Sequence, residues 1–79
     1  LDVREPFEFN QGHIEEAINI PLSALRSKLN ELPHDKEIQV YCAAGQRSYY
    51  ATRILSLNGF RVKNISGGWL TYNHRKVRE

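Results

Sequence analysis

Along this chain apolar residues come in short blocks whose spacing switches between a period of two and a period of three to four. Leu1 to Val3 reads as the tail of a strand running into a turn. Pro6 opens a polar stretch in which Glu5, Phe7, Glu8 and Phe9 suit one helical turn, before Gln11-Gly12-His13 breaks it. Ala17-Ile18-Asn19-Ile20 alternates enough to predict a small strand, ended by Pro21. Leu22, Leu25, Leu29 and Leu32 then fall at helical spacing, with Ser23 as the expected N-cap and Pro33 as the stop. Ile38 to Cys42 is a β-branched and aromatic run bounded by turns, the pattern of a buried parallel strand. A helix is expected from about Arg47 to Asn58, with Tyr50, Ala51, Ile54, Leu55 and Leu57 as its apolar face and Gly59 just past its end. Phe60 to Ile65 alternates as a strand, Ser66-Gly67-Gly68 turns the chain, and Trp69 to about Val77 forms a final helix. The basic end of that helix, with His74, Arg75, Lys76 and Arg78, complements the helix dipole.

Strands alternating with helices predict an α/β domain with a mainly parallel sheet. In such sheets ligands gather at the carboxyl ends of the strands. Cys42 stands at one such end, and Arg4 and the Gly67-Gly68 turn are expected on the same rim.

Composition narrows this. Seventy-nine residues make one domain, 1–79, around one modest core. A net charge of +2 with 25% charged residues favours neither nucleic-acid binding nor disorder. No apolar run is long enough to span a membrane. The single cysteine cannot form an internal disulfide, and too few Cys and His residues cluster for a zinc site. A reducing, cytoplasmic setting fits best. Because the chain opens on Leu1-Asp2-Val3-Arg4 and contains no methionine, it is expected to be a piece of a longer polypeptide.

Cys42 is the residue with chemistry to offer. It precedes the loop Ala43-Ala44-Gly45-Gln46-Arg47-Ser48, which leads into a helix. The first turn of a helix leaves backbone N–H groups unpaired and carries partial positive charge, so a thiol held there ionises more readily. Gly45 lets the backbone curl so that successive N–H groups point inward, and Arg47 adds a permanent cation. The competing reading is a buried structural cysteine, the commoner fate of a lone Cys.

Four segments taken together resemble the rhodanese-like sulfurtransferase domain in order and spacing. They are Leu1-Asp2-Val3-Arg4-Glu5; Gly12-His13-Ile14 with Ala17-Ile18-Asn19-Ile20-Pro21; Tyr41 to Ser48; and Gly59-Phe60 followed by Gly67-Gly68-Trp69. The resemblance covers essentially the whole chain. It implies a three-layer α/β/α domain whose N-terminal strand is truncated here, since the family carries a helix and more of a first strand before the position of Leu1. It also implies that Cys42 takes sulfane sulfur from thiosulfate or a persulfide as a cysteine persulfide and yields it to cyanide or to a small or protein thiol. Arg47 would orient the loop, Ser48 would support the loop-to-helix junction, and Ala43, Ala44, Gly45 and Gln46 would line the sulfur site. Asp2, Arg4, Gly67 and Gly68 would support it from neighbouring strand ends. The ending Gly67-Gly68-Trp69-Leu70-Thr71-Tyr72 is similar to the rhodanese domain fused to flavin-dependent coenzyme A-disulfide reductases. In that case FAD or coenzyme A would belong to the fused partner, with no cofactor in this domain, and a fused or separate redox protein would join small donors and thiol acceptors as partners.

Two alternatives bear on this. Protein phosphatases place five residues between cysteine and arginine to cradle a phosphoryl group, whereas four intervene here, a tighter ring suited to one sulfur atom. A non-catalytic module usually lacks the cysteine. The tail Arg75-Lys76-Val77-Arg78 reads as a solvated helix end, not a nucleic-acid patch. His13 is expected to satisfy loop carbonyls instead of acting as a base, His34 and His74 to lie at the surface, and Trp69 to fill core or groove. Arg4 and Glu8, four apart, are expected to pair and brace the loop, and Asp2 to hydrogen-bond the cysteine loop. The uncharged walls Ala43, Ala44 and Gln46 predict poor affinity for a doubly negative donor such as thiosulfate.

Overall fold

A computed structural model describes residues 1–78 of the chain, with side chains described for residues 1–73. Its sheet grows from Ile38–Val40 (β1), which pairs in parallel with Val62–Asn64 (β2) in the register Ile38 to Val62 and Val40 to Asn64. Residues 1–3 continue the sheet on the other side of β1. Tyr41 N–H donates to the Leu1 carbonyl at 2.9 Å and Val3 N–H to the Tyr41 carbonyl at 3.0 Å. Residues 18–20 add a further parallel pairing, with Asp2 N–H on the Ile18 carbonyl at 2.8 Å and Ile20 N–H on the Asp2 carbonyl at 3.0 Å. The chain's opening residues therefore run between two neighbours. Parallel order follows from crossovers long enough to return each strand in the same direction.

Among the described residues the α-helices are Pro6–Gln11 (α1), Gln46–Leu57 (α2) and Gly68–Arg78 (α3), of which α2 packs on β1 and β2. The basic residues expected at the end of α3 (His74, Arg75, Lys76 and Arg78) have side chains outside the described ones. Among the described residues, no helix is long and apolar enough to cross a membrane. The α/β class with a parallel sheet agrees with the sequence pattern.

Period-two geometry sends alternate residues of β1 to opposite faces. Ile38, Val40 and Cys42 face a core completed by Val3, Ile20, Leu25, Ala51, Leu55 and Phe60. Tyr41 is buried on the other face, where its hydroxyl accepts the Ile14 N–H at 3.0 Å. Gln39, on that same face, is exposed.

Two local expectations change. Leu22–Glu31 is a 3₁₀ helix, and its N-cap is Pro21, whose carbonyl accepts the Ala24 N–H at 2.9 Å. Ser23 lies one residue inside, exposed and making no capping bond. The spacing of Leu22, Leu25, Leu29 and Leu32 serves either helix type, and the tighter winding keeps all four against the core. On α2 the buried residues are Ser48, Ala51 and Leu55, whereas Tyr50 is 51% and Leu57 82% exposed. The helix carries two apolar stripes, and the sheet has room for one.

These stripes separate in energy. Leu55→Ala leaves a cavity in the core and is expected to lower unfolding free energy by about 3 kcal/mol, while Leu57→Ala changes it by less than about 0.5 kcal/mol. Urea denaturation of both variants checks the difference.

Candidate active site

Where β1 ends, the chain enters the turn before α2 with Cys42 at its inner edge. The sulfur is 1% exposed residue-wide and sits inside a ring of donors. Gly45 N–H points at Sγ from 3.1 Å and Ser48 N–H from 3.2 Å. The thiol reaches Ser48 Oγ at 3.4 Å, and the Ser48 hydroxyl in turn donates to the Gly45 carbonyl at 3.1 Å. Gly45 adopts φ +123°, a backbone conformation that a β-carbon resists, and this curl aims its N–H inward.

The outer side of the same turn is held by α3. Trp69 N–H donates to the Cys42 carbonyl at 2.7 Å and Leu70 N–H to the Ala43 carbonyl at 3.1 Å. Helix α3 thereby satisfies two donors of its first turn, and the loop's carbonyls are drawn away from the sulfur. The contact demands Gly68: at φ +59° any β-carbon there would run into the carbonyls of Cys42 and Ala43. Gly67 precedes it in the turn that leaves β2.

Burial pushes the Cys42 thiol up. The opposing effects win: the Ser48 hydroxyl and the N–H groups of Ser48, Gly45 and Arg47 favour the charged form, and the thiol ionises below its ordinary range. A cysteine that is buried, yet held ready to carry negative charge, combines features of both sequence readings.

Arg47 does not point its guanidinium at the sulfur. It forms a two-pronged ion pair with Glu8 of α1, NH1 to Oε1 at 2.6 Å and NH2 to Oε2 at 3.0 Å. Glu8 Oε1 also accepts the Glu5 N–H at 2.9 Å. The expected Arg4–Glu8 pair is absent. Arg4 instead binds Asp2 through Nε and NH2, at 3.0 and 2.6 Å, and donates NH2 to the Gly12 carbonyl at 2.7 Å. Its guanidinium lies 5.2 Å from the Trp69 ring centre and 5.6 Å from that of Tyr41. A four-residue spacing pairs side chains only within a continuous helix, and Arg4 precedes the start of α1. The Asp2 carboxylate likewise accepts the Arg4 N–H at 2.9 Å and turns to Arg4, not to the cysteine loop.

The rim therefore gathers Cys42, Gly45, Ser48, Gly67 and Gly68, with Ala43 half-buried and Ala44 and Gln46 exposed. Asp2 and Arg4 form a buried brace beneath it. His13 Nδ1–H donates to the Phe9 carbonyl at 2.9 Å, and His34 is exposed, stacked on Phe60. Trp69 is half-buried between Arg4 and Tyr72. Sequence reasoning passed over three supports. Tyr41 holds Ile14, Asn19 Nδ2 donates to the carbonyls of Asp2 and Arg4 at 3.0 and 2.9 Å, and Glu8 anchors Arg47. A polar Asn19 between Ile18 and Ile20 was the one visible signal.

Fold and loop together define a parallel α/β domain that presents a single activated thiol at a strand end. Residues 1–75 match the rhodanese-like domain family, and the chain belongs to it. It is 36% identical over 73 residues to a sulfurtransferase of Allochromatium vinosum, covering 91% of this chain and 68% of that protein. Two relatives from Bacillus subtilis are longer, and the chain spans 56% and 37% of them. A rhodanese-related protein from Thermoplasma volcanium superposes with a TM-score of 0.91 at 44% identity, over 95% of this chain and 75% of that one. Reduced Bacillus anthracis CoADR-RHD matches at a TM-score of 0.88 and 50% identity, over 91% of this chain but 13% of that much longer one.

The Glu8 carboxyl is held at about 2 by Arg47, against an ordinary 4.5. A group depressed on folding stabilises the protein above its unfolded value, and that stabilisation is lost as pH falls from about 4.5 towards 2. Arg47 is 36% exposed, so solvent screening holds the contribution to about 1 kcal/mol at neutral pH. Denaturation of wild type and Glu8→Gln from pH 7 to 2.5 is expected to show a difference that shrinks across this window.

Proposed function

We propose that the domain is a sulfurtransferase that carries sulfane sulfur as a persulfide on Cys42. The observation that carries this reading is the ring of N–H groups from Gly45 and Ser48 converging on one sulfur atom. The Cys42 thiolate attacks the outer sulfur of a donor persulfide or of thiosulfate. A sulfur–sulfur bond forms to Cys42, the donor's own bond breaks, and a thiolate or sulfite departs with the electron pair. An acceptor thiolate then attacks the outer sulfur, takes it as a new persulfide, and returns Cys42 to its thiolate. The N–H ring holds the negative charge at each stage, as preorganised donors do for a developing oxyanion. The Ser48 hydroxyl can turn from the Gly45 carbonyl to the sulfur once the thiol has ionised. Arg47 acts as a positioning residue, tied to Glu8 while its own N–H faces the sulfur. Ala43, Ala44 and Gln46 border the entry. The cycle needs no cofactor within this domain and suits a reducing, cytoplasmic setting.

The likeness to CoADR-RHD supports a second reading, in which this domain passes sulfur to or from a thiol of a fused or separate redox protein. FAD or coenzyme A would then belong to that partner.

Two measurements test the proposal. Intact mass spectrometry after incubation with a sulfane donor is expected to show one added sulfur, removed by thiol and absent from Cys42→Ser. If no donor adds mass, the carrier mechanism is wrong. Because Arg47 is neutralised by Glu8 and the rest of the mouth is uncharged, kcat/KM for thiosulfate is expected to fall at least about tenfold below that for glutathione or coenzyme A persulfide. A preference for thiosulfate would refute that selectivity.

A further inference from the structure

Helix α2 and the 3₁₀ helix leave an open groove of about 500 Å³ between them, within the range of ligand-binding hollows. Leu22, Tyr50, Ile54 and Leu57 give it its apolar lining. On α2 these residues fall at i, i+4 and i+7, so they form one stripe about 10 Å long. Two cations border it, Arg26 and Arg53. Among the described residues neither has a carboxylate within salt-bridge distance, and no acidic side chain lines the groove. Arg53 is instead steadied by Tyr49, whose ring centre lies 6.0 Å from its guanidinium.

We propose that this groove docks an acidic, amphipathic helical segment of a partner protein. Apolar residues of such a helix cover the Tyr50, Ile54 and Leu57 stripe, and its flanking carboxylates reach Arg26 and Arg53, the pattern of helix-in-groove recognition. A small anion would engage the arginines and leave the stripe wet. The groove lies along the helix whose N-terminus holds the Cys42 ring, and Cys42 does not line it. Docking is independent of sulfur transfer.

The test uses a fluorescein-labelled 16-residue peptide with Leu at helical i, i+4 and i+7 positions and Glu on both flanks, read by fluorescence anisotropy against the same peptide with Lys for Glu. The acidic peptide is expected to bind at least tenfold more tightly, and Leu57→Ala to weaken it. Arg26→Glu with Arg53→Glu is expected to reverse the preference towards the Lys peptide, a gain of binding that also shows the variant folded. Amide NMR shifts should centre on Arg26, Tyr50, Arg53 and Leu57, and Cys42→Ser should bind like wild type. Equal binding of both peptides, no saturable binding of the acidic one, an unreversed preference, or self-association through this face without peptide would each overturn the proposal.

Discussion

The peptide groups of residues 42 to 45 serve two neighbours at once, and the rest of the domain is arranged around that division. Their carbonyls at Cys42 and Ala43 are taken by the first N–H groups of α3, while N–H groups further along the turn converge on the Cys42 sulfur. Neither half stands alone. Without α3 the loop carbonyls would need other donors, and without the curl at Gly45 the N–H groups would not meet at one point. Helix α3 comes this close because position 68 carries no β-carbon, and β1 and β2 end side by side because their register is parallel and in step.

Two ion pairs hold this arrangement in different ways. Asp2–Arg4 is buried, with Arg4 also bonded to the Gly12 carbonyl and resting against Trp69 and Tyr41. Desolvation offsets much of the attraction in such a pair, so it serves to lock one geometry among residues 1–4, residue 12 and the start of α3. Glu8–Arg47 is partly solvated and joins α1 to the cysteine loop across 39 positions of sequence. It also decides the electrostatics of the mouth, since the cation nearest the thiol is already matched by a carboxylate. The groove between α2 and the 3₁₀ helix has the reverse character, two cations beside a partly exposed apolar stripe. One face of α2 thus suits a sulfur atom, and another suits a protein surface.

Much of this was legible in the chain. The short run Ile38 to Tyr41, the turn at Gly45 and the lone Cys42 specify a strand-to-helix junction from local preferences, and the Gly67-Gly68 pair marks a tight turn at another strand end. These are properties of neighbouring residues, where sterics and backbone donors act over a few bonds. Side-chain partners were not legible. Arg4 and Glu8 look paired at a spacing of four, yet the chain bends before α1 and sends them to Asp2 and Arg47. Tyr50 and Leu57 belong to an apolar helix face by pattern, yet the sheet covers only the stripe of Ser48, Ala51 and Leu55. By itself, then, the sequence determined the α/β order, the thiol and the backbone curl that would receive it. Which cation meets which carboxylate, which apolar stripe is covered, and how Gly68 brings α3 onto the cysteine loop were decided by tertiary structure, because each depends on groups distant in sequence competing for one place in space.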